Sequence, residues 1–293
     1  MRNLKLPVLP FAFALALLVG GYGAIQWWMK PSLEDLHVRA WQQRQERVEE
    51  RIQIGLTART AILETTCGDW AEWDSMYDFV VSPTEAFIEE NFQPDSVAGL
   101  GCSRIVVQNE AGVILARQDY NIEANEAADY GVEGEFWVRL NAADPRQAQL
   151  GLIVGPDGRL SFVSSKPVAR TDGTGDYEGR IVFVRPVLGE EAAQLMSQIG
   201  VQSLDYDEGE RDSASAEVAP SRIVTLKTPL SAFDGALLGT LRTTVDFGDL
   251  VDRHTIEVKL LETGAALLFL AWVASVFLGA WMPYFKPSAT AGR

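Results

Sequence analysis

The chain has 293 residues, a mean hydropathy of +0.01 and a net charge of −15, from 25 Lys+Arg against 40 Asp+Glu. So acidic a chain lacks the basic patches that hold phosphate backbones, which argues against a nucleic-acid partner. Two cysteines and two histidines speak against zinc folds, and 47% apolar with 22% charged residues speaks against wholesale disorder.

The first apolar run, Leu6 to Met29, carries no charge and follows Arg2 and Lys5. It is long enough to cross a bilayer, which takes roughly 20 helical residues. A cleaved signal peptide is the alternative, with Gly21 and Gly23 near a cut, but the run exceeds the roughly 7–15 residues of a signal core. Trp27 and Trp28 stand where interfacial anchors belong. A second uncharged run, Gly264 to Phe285, precedes Lys286 and Arg293. Basic flanks predict both termini inside and the segment between the runs outside. All 40 acidic residues fall in that segment, which carries 21 basic residues and a net charge of −19. The expected division is a cytoplasmic N-terminus and first membrane helix over 1–30, an extracytoplasmic domain over 31–262, a second membrane helix over 263–285 and a cytoplasmic tail over 286–293. The expected location is the inner cell membrane, with the main domain in the periplasm.

Within the outer segment, apolar residues from Leu33 to Tyr77 recur at three- and four-residue steps, predicting a long amphipathic helix. It would continue the first membrane helix with a break at Pro31 and could pair with its copy in a homodimer. A short helix or loop follows at 84–91. The period then changes to that of strands. Residues 103–108 and 113–119 flank the turn Asn109-Glu110-Ala111-Gly112, and 150–154 and 159–169 flank Gly155-Pro156-Asp157-Gly158. Residues 135–140 read as another strand, 171–179 as a Gly/Asp-rich turn, 180–188 as an apolar strand and 190–200 as a short helix. The acidic stretch 203–220 reads as a mobile loop. Two strands, 222–228 and 236–245, and an exit helix from Asp249 complete an α+β arrangement: a long N-terminal helix with an antiparallel sheet.

The densest functional candidate is residues 69–79. Trp70, Trp73, Asp74 and Tyr77 are spaced i, i+3, i+4, i+7 and would share one helical face. Three aromatics and a carboxylate suit a ligand pocket with apolar walls and one orienting polar group. The competing reading is core packing between helix and sheet. If buried, Asp74 needs a partner, for which Arg104 and Arg185 are candidates. The ligand-binding set is therefore Trp70, Trp73, Asp74, Tyr77, Asn91 and Arg185. Cys67 and Cys102 lie in a disulfide-permissive compartment, where a bridge would tie the long helix to the first strand; two separate buried thiols are the alternative. The stretch Asp172-Gly173-Thr174-Gly175-Asp176 lacks the spacing of a calcium loop and reads as a turn, so no metal or cofactor is expected. His37 and His254 lie near the membrane ends of the domain, and no nucleophile, phosphate-loop or dinucleotide motif appears. The expectation is a protein without enzymatic activity.

The stretch Asp69-Trp70-Ala71-x-Trp73-Asp74-x-x-Tyr77 resembles the signature of CHASE4 domains, extracytoplasmic sensory modules of bacterial and archaeal receptors. The resemblance continues through Phe87-Ile88-x-x-Asn91, the strand pair around Val106 and Val113, Pro167-Val168-x-x-x-Asp172-Gly173-x-Gly175, Glu178-Gly179-Arg180, Val184-Arg185 and Gly239. It covers nearly all of residues 31–262. It implies a PAS/Cache-like sheet carried on the long helix, flanked by two transmembrane helices, that senses a small molecule and passes a conformational signal inward. Family members commonly continue into output domains, whereas only Lys286 to Arg293 follow the second run here. The expected partners are thus an unknown small-molecule ligand, the membrane and a separate signalling protein. The alternative is a non-enzymatic envelope scaffold without a small ligand.

Overall fold

The structure, a computed structural model, describes residues 8–132, 134–208 and 221–281. Helix α1 (Val8–Ala24) passes through a π-helical turn (Ile25–Met29) into α2 (Lys30–Ala71), which is 42 residues long. Pro31 does not break the helix. The widened turn before it absorbs the N–H that proline lacks, and Ser32 Oγ donates to the Trp28 carbonyl at 2.6 Å. Among the described residues no helix is long and apolar enough to cross a membrane. The α-helical part of the first apolar run is 17 residues, and the second run continues beyond the described residues.

Three short helices follow: α3 (Asp74–Val81), α4 (Glu85–Asn91) and α5 (Pro94–Gly99). Thr84 caps α4 by accepting from the Phe87 N–H, and Pro94 opens α5 where its missing donor costs nothing. Then come β1 (Arg104–Asn109), β2 (Ile114–Asn121), β3 (Glu126–Ala128), α6 (Glu135–Ala142), β4 (Gln149–Val154), β5 (Leu160–Pro167) and β6 (Gly179–Pro186). These six strands form one antiparallel sheet in the order β3-β2-β1-β6-β5-β4. Helix α7 (Gly189–Ile199) leads to a second antiparallel sheet, β7 (Ser203–Asp207), β8 (Ile223–Ser231) and β9 (Leu237–Asp246), in the order β7-β9-β8. Helix α8 (Gly248–Trp281) ends the described chain. The fold is α+β, with two sheets rather than one.

The chain divides into two compact units. One contains α1, α2 as far as Arg44, Ser221 and Arg222 before β8, and α8; the other holds the rest from Gln45 in α2 to the end of β9. In the first, the start of α2 lies along α8. Lys30 faces Glu262 at 3.5 Å, His37 Nε2 meets Glu257 at 2.9 Å, and Arg44 donates to Asp249 at 2.7 Å. The Trp41 ring stands edge-on to Phe247, 5.4 Å between centroids.

In the second unit the six-stranded sheet is covered on both faces. On one face lie α2 and α3. Cys67 donates to the Ser164 and Ile181 carbonyls, and Trp70 packs edge-on against Phe183. On the other lies α6, whose Phe136, Trp137 and Leu140 close over Val106, Ile153, Val163, Val182 and Val184. Residues 135–142 are thus a helix, not the expected strand: Phe136, Trp137 and Leu140 are buried while Val138 is 70% exposed, a spacing that suits a helix. Residues 203–207 are likewise a strand, not a loop; the rest of that acidic stretch, 209–220, lies outside the described residues.

Candidate functional site

The aromatic signature does not share one continuous helix face. Helix α2 ends at Ala71, Trp73 is extended (φ −87°, ψ 123°), and α3 starts afresh at Asp74. The cause lies in the loop after β5. The Ala169 N–H bonds the Ala71 carbonyl at 2.9 Å, and Thr171 Oγ1 bonds the Glu72 carbonyl at 2.8 Å. Carbonyls that a longer helix would use internally are taken by this loop instead. Asp74 is exposed and accepts the Thr171 N–H at 3.0 Å, so neither Arg104 nor Arg185 is its partner. Tyr77 lies under the Arg170 guanidinium, 4.4 Å from its ring centre, and a Cβ on Gly175 would stand 2.9 Å from the Tyr77 ring. The carboxylate and the tyrosine therefore clamp the Gly/Asp-rich turn to the helix break.

The remaining members of the predicted set are packed or engaged within the chain. Trp70 meets Trp73, Phe92 and Phe183, Trp73 meets Phe87, and Phe87 stacks on Phe79 at 4.6 Å. Asn91 Nδ2 donates to the Phe87 carbonyl at 3.0 Å, and Arg185 Nη2 to the Leu100 carbonyl at 2.8 Å. None of the six lines any of the three cavities described below. Cys67 and Cys102 are free, buried thiols rather than a disulfide. Each is turned to a carbonyl of its own, Cys67 to Ser164 and Ile181 and Cys102 to Leu100. Burial pushes both thiols up to about 12, against a smaller downward pull from Ser164 on Cys67 and from the Arg185 charge on Cys102.

The α6 side of the sheet has a different character. Register places Arg104, Val106 and Gln108 of β1 beside Val184, Val182 and Arg180 of β6. The apolar middle of this row carries α6, and charged groups stand at both ends. At one end Arg104, fully buried, makes a two-pronged pair with Asp119 at 2.5 and 2.7 Å and donates to the Gly131 carbonyl at 2.7 Å. Its guanidinium carbon lies 5.4 Å from the Trp137 ring centre and 5.8 Å from that of Phe136. At the other end Arg180, 3% exposed, donates to Gln108, the Leu140 carbonyl and Asn141. Four buried polar atoms on this side have no partner among the described residues: Arg104 Nη1, Trp137 Nε1, Ser165 Oγ and Tyr177 OH. On the aromatic side Ser164 Oγ and Arg185 Nε are also without one.

Two of the cavities lie at the margins of α6. One of about 340 Å³ is walled by the Asn109–Gly112 turn, the Asn141–Pro145 segment, Tyr177 and Arg180. Another of about 300 Å³ is walled by Gly134–Phe136, Arg139, the β4–β5 turn, Glu208 and the start of β9. Burial lowers the pKa of Arg180 below the usual arginine value and raises those of Tyr177, Tyr130 and Asp157. A larger groove of about 770 Å³ between α1 and α8 is lined by Leu17, Val19, Tyr22, Ile25, Ala265 and Phe269, among others, with Glu262 its one charged residue. Arg104, Trp137, Tyr177 and Arg180 escape a spacing-based reading, because they converge only once β1, β6 and α6 are assembled. In the sequence Arg180 stands at the head of a strand whose other charged residue is Arg185.

Comparison with known proteins places these features in a family. The model of the CHASE4 domain matches residues 56–206. The methanogenesis regulatory histidine kinase FilI of Methanothrix harundinacea (strain 6Ac) is 23% identical over 175 residues, which is 57% of this chain and 18% of that kinase. The chain therefore spans under a fifth of the length of that relative. Among solved structures, the sensor domain of the Vibrio cholerae histidine kinase DctB superposes with a TM-score of 0.44 at 11% identity, covering 71% of this chain and 98% of that one. The ligand-binding domain of the Pseudomonas aeruginosa PAO1 chemoreceptor PctC, solved with GABA, gives 0.36 at 18% identity, covering 70% and 98%. With the family model spanning more than half of its residues and the signature standing at residues 69–77, the chain belongs to the CHASE4 domain family.

Proposed function

We propose that this protein is a membrane-anchored extracytoplasmic sensor that binds a small molecule on the α6 side of its larger, PAS/Cache-like sheet. It passes the signal through its two end helices to a separate partner protein and has no catalysis of its own. The observation that supports this side is the set of buried donors left without acceptors there, Arg104 Nη1, Trp137 Nε1 and Tyr177 OH, the last of which lines a cavity of about 340 Å³. A buried donor without a partner costs about 1–3 kcal/mol, and a ligand that supplies the acceptor recovers it. Membership of the sensory family supports the role. The apolar runs Leu6–Met29 and Gly264–Phe285 support two membrane spans, and the acidic segment between them supports an outside location. Homodimerisation through α2 belongs to the same proposal. Both histidines sit where α2 and α8 meet, His37 ring to His254 ring at 4.0 Å, which leaves none on the α6 side to act as a catalytic base.

The test is a thermal-shift screen of the full chain in detergent against small polar metabolites. A ligand present at a hundred times its Kd adds about 2.7 kcal/mol. For a domain of this size that raises Tm by roughly 5–10 °C. No stabilisation across the screen, together with stoichiometric recovery of an envelope protein of unrelated function, would favour the scaffold alternative.

A further inference from the structure

Arg180 is a buried cation with no carboxylate beside it. Its Nε donates to Gln108 Oε1 at 2.7 Å, Nη1 to the Leu140 carbonyl at 3.1 Å and Nη2 to Asn141 Oδ1 at 2.7 Å. All three acceptors are neutral, and no Asp or Glu among the described residues pairs with Arg180, although it is only 3% exposed. A guanidinium has five N–H donors, so two remain unused. Desolvating a charge without a counter-charge is costly, and a fold that retains one holds a place for an anion.

The surroundings define that anion. Tyr177 OH is buried, has no partner among the described residues and lines the same 340 Å³ cavity as Arg180. Burial raises the pKa of its hydroxyl against the opposing pull of the Arg180 charge, with smaller effects from Glu110, Arg146 and Asp144. The rim is internally balanced: Arg146 lies over the Tyr177 ring at 5.4 Å and pairs with Glu110 at 3.0 Å. With Asp144 nearby, the charges around the cavity number two of each sign, and Arg180 is the cation among them without a direct counter-charge. We infer that the cavity between α6 and the β1–β2 turn binds the carboxylate of a small molecule. The two unused guanidinium N–H groups and the Tyr177 hydroxyl clasp its two oxygens. This inference rests on the sensory reading and narrows its ligand class.

The experiment uses the full chain in detergent or nanodiscs, with acetate, propionate, lactate and pyruvate as probes by calorimetry. Propionamide serves as the neutral counterpart and inorganic phosphate as the tetrahedral oxyanion. At least one carboxylate binds saturably, and propionamide and phosphate do not. Tyr177→Phe deletes a hydroxyl that bonds nothing in the chain, so it folds normally and weakens carboxylate binding about tenfold, the effect of one hydrogen bond to a charged group. Arg180→Gln, checked for folding by circular dichroism, abolishes binding. Three results overturn the inference: no binding by any of the four carboxylates, tighter binding of phosphate, or carboxylate affinity unchanged in both variants. The last leaves the sensory reading intact with its ligand elsewhere, whereas that reading falls only if the wider metabolite screen also returns nothing.

Discussion

Arg104 and Asp119 show how one pair of residues organises the α6 side. Asp119 accepts both prongs of the guanidinium and also the Tyr130 N–H at 3.0 Å, which ties the segment after β3 to the sheet. Neither side chain is more than 1% exposed, so removing one partner strands the other charge away from water. Asp119→Ala should cost about 3–5 kcal/mol in urea unfolding, while the double change Arg104→Met, Asp119→Leu should cost clearly less. The cysteines yield a second prediction. Both thiols are pushed up to about 12 from an ordinary 9.0 by burial, so the unfolded chain releases these protons at lower pH than the folded one. Their share of stability is intact below pH 9.0 and is lost as pH rises from there towards about 12. Iodoacetamide at pH 8 should label neither cysteine in the native protein and both after unfolding, which mass spectrometry reads directly. Rapid labelling of the native protein would contradict the burial.

At the scale of elements, the break between α2 and α3 is the informative feature. Asp74→Ala removes one exposed charge-assisted bond to the Thr171 N–H and should destabilise by about 1 kcal/mol, without altering ligand affinity if the site lies under α6. A large loss of affinity in that variant would return the site to the aromatic face. The break was not legible from spacing, because the groups that capture the last carbonyls, Ala169 and Thr171, are about a hundred residues away. The hairpins were legible for the opposite reason: their turn residues are local. Asn109 Oδ1 accepts the Val113 N–H, and Gly112 and Gly158 hold the positive φ that glycine tolerates. Strand β7 was hidden by its acidic composition. It pairs with β9, where Arg242 answers Asp207 at 2.7 Å. Helix α6 was misread because aromatic and β-branched residues suit either period, and only the exposure of Val138 separates the two. The candidate site was not legible from the sequence, where Arg180 stood out only as part of the family resemblance; its partners come from three other places in the chain.

At the scale of the molecule, the chain passes between the two compact units within α2, just before β8 and again between β9 and α8. A ligand switches the protein only if it binds two states with different affinity. At the junction of α2 with α8, Glu257 sets an expected dependence on acid. Glu257 is held below the usual carboxylate range by Arg253 and next by His37, so its contribution is present above the ordinary glutamate value of 4.5 and is lost as pH falls through the lowered one. Glu257→Gln should reduce the acid sensitivity of Tm between neutral pH and pH 4, by a small amount because the carboxylate is exposed to solvent. The most direct measurement is hydrogen–deuterium exchange by mass spectrometry on the full chain, with and without the small molecule that a thermal screen returns. The account predicts added protection over α6, residues 135–142, and over 176–182 at the start of β6, with little change over residues 70–92. Protection confined to the aromatic segment 70–92, with α6 unaffected, would contradict it.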